Sequence, residues 1–275
     1  MDPIRSVLYV PAHREGWVAE AASHGADAVI LDLEDAVPTD EKDAARAAVR
    51  DHADALAAAD TTVTLRVNDV GTAAFHEDAA LVDAWTDAVV LPKTESPADV
   101  HTLDSVLAYV EHQRNVRNRI EVVPLLESPA GVCAVGDIAG ASLGLGWSPE
   151  GDETAHVRSK IVLEAKAAGV EQVLSGIWAS IDDEAGLREK AERQKRFGFT
   201  GMQVVHPSQV DAVNDVFTPS GDELDYYRDL VAAFEAETDG EQGAIRFDGE
   251  MVDAAKVKQA RRALERADTA DGESS

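Results

Sequence analysis

Short runs of β-branched and aliphatic residues alternate along this chain with longer, Ala-rich amphipathic stretches, which predicts repeated βα units around a parallel sheet. Eight runs read as strands: residues 5–11, 28–34, 61–68, 88–93, 120–127, 141–146, 171–178 and 199–206. Most are apolar nearly throughout, as strands covered on both faces are. Helix signals fall between them. Ser96-Pro97-Ala98-Asp99 and Ser180-Ile181-Asp182-Asp183 carry the Ser-x-x-acid capping pattern, and Ser128-Pro129 puts proline at a first helical position. Eight strands in this phase predict an α/β fold, a closed (β/α)8 TIM barrel over residues 1–218. The rival, a doubly wound open sheet, lacks its dinucleotide fingerprint, because Gly144-Leu145-Gly146 runs on to Pro149 where a third glycine would stand.

Beyond the eighth run, Ser220-Gly221-Asp222-Glu223 caps a further helix to about residue 238. Residues 240–249, with Ile245-Arg246-Phe247, read as a turn and short hairpin, and a last helix runs over about 252–267. Residues 219–268 are therefore expected to form a helical and hairpin extension, a lid or a contact with a neighbouring subunit. The polar tail 269–275 is expected to fray.

Composition narrows the function. The 275 residues carry 25 Lys+Arg against 52 Asp+Glu, a formal charge of −27. That excludes a nucleic-acid binder resting on a broad basic surface. No apolar run approaches the roughly 20 residues that span a bilayer, so no membrane association is expected. Met1-Asp2-Pro3-Ile4-Arg5 shows no secretory signal, and the cytoplasm is the expected location. Cys133 is the only cysteine, which removes intramolecular disulfides and Cys-Cys zinc patterns and leaves it as a small core residue. None of the eight His residues forms a His-x-His or His-x-x-x-His pair, so a zinc hydrolase site is not expected.

In a (β/α)8 barrel the active site lies at the carboxyl ends of the strands, so polar residues there are functional candidates on geometry alone. The second run ends in Asp32-Leu33-Glu34-Asp35, the third in Arg66-Val67-Asn68-Asp69, the fourth in Pro92-Lys93, the fifth in Glu127-Ser128 and the eighth in His206-Pro207. Glu127 is either paired with Arg66 or a ligand of Mg2+, since a lone carboxylate in a partly dry mouth needs one or the other. Arg66 offers a planar fork for a carboxylate or a developing oxyanion, or else balances Glu34 or Asp35. Glu34 and Asp35 add charge at the mouth, or cap the helix beginning near Pro38. Lys93 and His206 could each touch a substrate phosphate or carbonyl, or serve as an ion pair and a loop support.

The stretches Arg5–Pro11, Gly25–Val37, Arg66-Val67-Asn68, Leu91-Pro92-Lys93, Leu126–Gly131, His206-Pro207-Ser208-Gln209, Phe217–Ser220 and Gly249–Asp253 together resemble, in order, the citrate lyase β-subunit-like branch of the HpcH/HpaI aldolase family. That branch includes malyl-CoA, β-methylmalyl-CoA and citramalyl-CoA lyases. The resemblance implies a (β/α)8 barrel, a homotrimer or homohexamer, and Mg2+-dependent cleavage or formation of a carbon–carbon bond in a 3-hydroxyacyl-CoA thioester. The products implied are a short acyl-CoA and a 2-keto acid. By motif, Glu127 resembles one metal ligand, Arg66 the group facing the keto-acid oxygens, and Glu34 with Asp35 the acids one step behind the metal. Asp253 resembles an acid/base presented over a neighbouring subunit's barrel; its plain reading is an N-cap of the last helix.

One departure stands out. The family follows its sixth strand with Gly-x-Glu-Asp, whose Asp is the second metal ligand. Here Gly144-Leu145-Gly146 passes into Trp147–Glu153, the segment is shortened, and no Glu-Asp stands at the strand end. Either Glu150, Asp152 or Glu153 substitutes or the metal site is impaired, which leaves a thioester hydrolase or a silent subunit as alternatives to a lyase.

Lysine is scarce, 8 residues against 17 arginines. An acidic surface of this kind holds water and cations and repels itself at low salt. Thermal unfolding should therefore occur at a lower Tm in millimolar than in molar salt, and an unchanged Tm contradicts salt adaptation.

Overall fold

Seven of the eight apolar runs form parallel strands in the computed structural model, which describes residues 4–58, 61–116, 119–128, 130–131, 134, 155–170, 172–238, 244–254, 256–258, 260–261 and 263–264. They are β1 (Ser6–Pro11), β2 (Ala28–Asp32), β3 (Thr62–Arg66), β4 (Ala88–Leu91), β5 (Glu121–Pro124), β6 (Leu174–Ser175) and β7 (Gly201–Val204). Their order is β5-β4-β3-β2-β1-β7-β6, so the first strand pairs with both the second and the last. β2 and β4 are buried at every position, as parallel strands covered on both faces require.

The inner face curls. Ile4, Val7, Ala28, Ile30 and Val90 form one core with Tyr9, Val123, Leu125 and Leu174, which brings residues of the two edge strands β5 and β6 to a common cluster. The run 141–146, expected as the sixth strand, lies outside the described residues, as does Cys133. Among the described residues the sheet is a curled, seven-stranded α/β arrangement with two edges and not a closed TIM barrel.

Local signals explain the helices. Helices α1 (Glu15–Glu20), α2 (Lys42–Asp51), α3 (Ala53–Ala57) and α4 (Ala73–Ala79) precede α5 (Pro97–Arg114), which starts on the Ser96/Asp99 capping box with Pro97 in its first turn. It stops at Asn115 in the left-handed conformation. Ser128 Oγ accepts a hydrogen bond from Gly131 N at 3.2 Å, while Pro129, expected at a first helical position, lies outside the described residues. α6 (Ala155–Ala167) leads to α7 (Glu184–Phe197), which starts later than the Ser180 pattern predicts. Its cap is Asp183, whose side chain accepts from Gly186 N at 3.0 Å. The seventh run also ends early: the chain leaves the sheet after Ser175. There Lys190 Nζ donates to Ile177 O at 2.6 Å and lies 5.6 Å from the centre of the Trp178 ring. α8 (Val210–Phe217) follows β7.

The chain divides into two compact units, Ile4–Asn214 and one drawn from the residues after Asn214. In the second, α9 (Gly221–Thr238) starts on a reciprocal cap, Ser220 Oγ accepting from Glu223 N and Glu223 Oε2 from Ser220 N. The hairpin is β8 (Ala244–Phe247) and β9 (Glu250–Asp253), turning through Asp248 and Gly249 at φ 48° and 84°. It therefore sits later than residues 240–249, because Asp-Gly forms the turn and not the end of the second strand. Leu230, Phe234, Ile245, Val252, Val257 and Ala260 make the core of this unit. Among the described residues no helix is long and apolar enough to cross a membrane.

β7 approaches β1 at Gly201, where Met202 N donates to Arg5 O at 2.8 Å. A Cβ on Gly201 would stand 2.7 Å from Arg5 O and closer still to Ile4 O. Backbone cannot yield there as a flexible side chain can. Gly201→Ala should therefore cost about 1–3 kcal/mol of stability, read as a lower denaturation midpoint. A midpoint equal to the native one contradicts this strand contact.

Candidate active site

Register gathers the polar residues. Asp32 closes β2 directly opposite Arg66, which closes β3, and Leu91 of β4 stands opposite Pro124 of β5. Lys93 and Glu127 lie just beyond these ends, so all four share the carboxyl rim of the sheet, where a parallel α/β fold places its chemistry.

At the centre is a buried ion cluster. Arg66 Nε donates to Asp32 Oδ1 at 2.7 Å and Nη2 to Asp32 Oδ2 at 2.5 Å, a two-point fork. Its Nη1 lies 3.1 Å from Glu34 Oε2. Asp32, Glu34 and Arg66 are 0%, 3% and 9% exposed. Burial works against the Arg66 charge, but the hydrogen bonds and field of Asp32, helped by Tyr9 and Glu34, outweigh it and hold the guanidinium above its usual pKa. Asp32 also accepts from Glu34 N at 2.8 Å and Ala36 N at 3.3 Å, which fixes the turn after β2.

Lys93 continues the cluster. Its Nζ bonds Glu34 Oε1 and lies 3.3 Å from Asp35 Oδ1. Its backbone adopts φ 50°, and its N–H donates to Glu127 Oε1 at 2.9 Å. The bond to Glu34 outweighs burial and raises the Lys93 pKa. Burial pushes the Glu127 carboxyl upward, against the Lys93 N–H and with the field of Glu34 adding to it. An open cleft of about 720 Å³ is lined by Lys93, Glu127 and Ser128 together with the acids Asp69, Glu95 and Asp99.

A second network backs the first. Lys42 Nζ donates to Leu33 O at 2.7 Å, Glu34 O at 3.0 Å and Asn68 Oδ1 at 2.8 Å. Asn68 donates through Nδ2 to Leu33 O and through both nitrogens to Asp78, which also accepts from Arg46 Nε at 2.8 Å. Both loops that carry the site are thereby tied to α2 and α4.

Of the residues singled out in the sequence, Arg66, Glu34, Asp35, Lys93 and Glu127 come together. Arg66 does balance Glu34, whereas the pairing of Glu127 with Arg66 is replaced by the Lys93 N–H as its hydrogen-bond donor. Glu34 does not cap the following helix, because its carboxylate is spent on Arg66 and Lys93. His206 is exposed, and its Nδ1 accepts from Ser208 N at 3.2 Å, supporting the turn Pro207–Gln209. Asp253 belongs to the second unit, where its Oδ1 accepts from Lys256 N at 2.9 Å, the capping contact. Glu150, Asp152 and Glu153 lie outside the described residues. Asp32, at the end of an apolar run, and Tyr9, in the Arg5–Pro11 stretch, were given no role of their own, and Lys42 and Asp78 were not singled out.

The HpcH/HpaI aldolase/citrate lyase family matches residues 5–207 of the chain. A (3S)-malyl-CoA thioesterase of Cereibacter sphaeroides is 31% identical over 97% of this chain and 95% of its own. The mitochondrial citramalyl-CoA lyase of Homo sapiens is 30% identical over 94% of this chain and 84% of its own. Among solved structures, the CitE protein of Mycobacterium tuberculosis in complex with magnesium, acetoacetate and coenzyme A is 32% identical, covers 96% of this chain and 98% of its own, and superposes with a TM-score of 0.75. With a match over most of its length and relatives of this identity, the chain belongs to the HpcH/HpaI aldolase/citrate lyase family.

Proposed function

We propose that this chain is a Mg2+-dependent carbon–carbon lyase that cleaves or forms a 3-hydroxyacyl-CoA thioester of the malyl-CoA or citramalyl-CoA type. The products of cleavage are a short acyl-CoA and a 2-keto acid. The charge at the rim carries the reading: among the described residues the four carboxylates Asp32, Glu34, Asp35 and Glu127 meet two ion-paired cations, Arg66 and Lys93, with Lys42 behind, beside a cleft lined by further acids. A keto-acid anion is repelled by such a rim unless a cation enters with it, and a hard divalent ion matches the excess.

The residues present fit that ion. Glu127 accepts the Lys93 N–H with one carboxylate oxygen, and the other has no hydrogen bond among the described residues. Mg2+ is commonly held by one or two carboxylates, with water and substrate oxygens filling its remaining positions. Among the described residues no group of three or more His, Cys, Asp or Glu could hold a metal, so Glu127 is assigned as one ligand, and either Glu150, Asp152 or Glu153, outside the described residues, supplies a second or the ion leans on water and substrate. Bound there, the ion supplies Lewis-acid stabilisation of oxygen charge. The magnesium and coenzyme A of the M. tuberculosis relative support the assignment.

The chain's own residues do the rest. Asp32 and Glu34 lock the Arg66 guanidinium in one orientation, and its remaining N–H groups face the keto-acid oxygens, where charge develops. Lys93 orients Glu127 through its backbone N–H and holds Glu34 with its ammonium group. Breaking the bond leaves an acyl-CoA enolate that must take a proton from a positioned carboxyl group. Asp253 is assigned that role in a neighbouring subunit's site, and Lys93 and His206 the CoA-bearing side of the substrate. This reading includes a (β/α)8 barrel over 1–218, an extension over 219–268 as a lid or a contact with a neighbouring subunit, a homotrimer or homohexamer, and a cytoplasmic location.

The thioesterase among the relatives supports a second reading, hydrolysis of the thioester in the same pocket. A coupled assay separates them. Release of glyoxylate or pyruvate from malyl-CoA or citramalyl-CoA, abolished by a chelator, is the expected result, and free thiol without keto acid establishes hydrolysis instead. Glu127→Gln keeps an acceptor for the Lys93 N–H and should lower Mg2+-dependent turnover by about a hundredfold or more at unchanged Tm. Turnover near the native value contradicts the ligand assignment.

A further inference from the structure

Tyr9 stands on the inner face of β1, packed against the core formed by Ile4, Val7, Ala28, Ile30 and Val90. The Arg66 guanidinium carbon lies 5.0 Å from the centre of its ring. Burial, together with the carboxylates Asp32, Glu127 and Glu34 and against Arg66, pushes the phenol pKa up to about 12. The side chain therefore lies within the field of Arg66, Asp32, Glu127 and Glu34, yet stays protonated at neutral pH. Among the described residues no hydrogen bond involves its hydroxyl.

Among the described residues the charged donors at the rim already hold carboxylates. Arg66 commits Nε and one Nη2 proton to Asp32, its Nη1 lies 3.1 Å from Glu34 Oε2 with N–H groups left over for substrate, and Lys93 Nζ holds Glu34 and Asp35. Their charges are more than cancelled by the carboxylates that hold them. A substrate oxygen arriving here gains most from a donor whose proton is unspent and whose neutrality adds no new pairing demand.

We infer that the Tyr9 hydroxyl donates a hydrogen bond to an oxygen of the 2-keto acid portion of the substrate, orienting it against the Arg66 guanidinium that lies over the same ring. The proton stays on Tyr9 throughout, so the residue binds and orients without titrating. This assignment rests on the lyase reading above and adds to it a residue that the sequence reading gave no role.

Tyr9→Phe tests it, because the ring and its contact with Arg66 remain while the donor is removed. In the coupled assay kcat/KM should fall roughly ten- to a hundredfold, the worth of a hydrogen bond to a charged oxygen. Tm should be unchanged, and the native-to-variant ratio should be flat from about pH 6 to pH 9 because the phenol does not ionise there. A kcat/KM within about twofold of the native enzyme overturns the assignment, and so does a loss that follows a lowered Tm, since that marks a structural role. If the native chain releases no keto acid, the lyase reading is what fails. The two proteins are then titrated with pyruvate in the presence of Mg2+, where weaker binding by Tyr9→Phe supports the donor and equal binding overturns it.

Discussion

A guanidinium taken out of water between two carboxylates sets the terms for everything around it. Burying Arg66, Asp32 and Glu34 costs solvation that only close, well-aligned partners offset, and removing any one of them would leave an uncompensated charge in the interior. Cross-strand register makes the alignment possible, because Asp32 and Arg66 are paired positions on adjacent parallel strands. The same pairing joins the ends of β2 and β3. From there the ion cluster passes along the rim, Glu34 to Lys93 and Lys93 to Glu127, until it reaches β5.

Lys93 shows how much the arrangement is worth. A side chain at φ 50° is disfavoured by about 1–2 kcal/mol. The conformation lets one residue serve two carboxylates, the backbone N–H holding Glu127 and the ammonium holding Glu34. Lys42 does a comparable job from behind, satisfying two loop carbonyls and the Asn68 amide, while Asp78 anchors that amide to Arg46. The rim is thus rigid without being neutral, and the carboxylate excess that remains is an invitation to a cation.

Much of this was legible in the sequence, for physical reasons that differ by residue. Doubly covered strands are apolar nearly throughout, so β1 to β5 and β7 stood out, and Arg66, Lys93 and Glu127 were conspicuous as charges ending apolar runs. The seventh run misled because Ile177 and Trp178 are apolar for a different purpose, supporting a loop in contact with Lys190. The hairpin was misplaced although Asp248-Gly249 is a strong turn signal. Asp32 was passed over in favour of Glu34 and Asp35, since only register reveals that it faces Arg66. Lys42 and Asp78 sit on helices where nothing in the spacing marks them, and Tyr9 looks like any aromatic in a strand.

The proposed chemistry depends on the rim being a seat for a divalent ion. Calorimetric titration of Mg2+ into the metal-free chain, with and without pyruvate, addresses that directly. One ion per chain, held more tightly when the keto acid is present, is the predicted result, because the acid's oxygens complete the ion's shell while the ion offsets the carboxylate excess. Absence of binding at millimolar Mg2+, or pyruvate binding with the same affinity whether or not the ion is there, would contradict it.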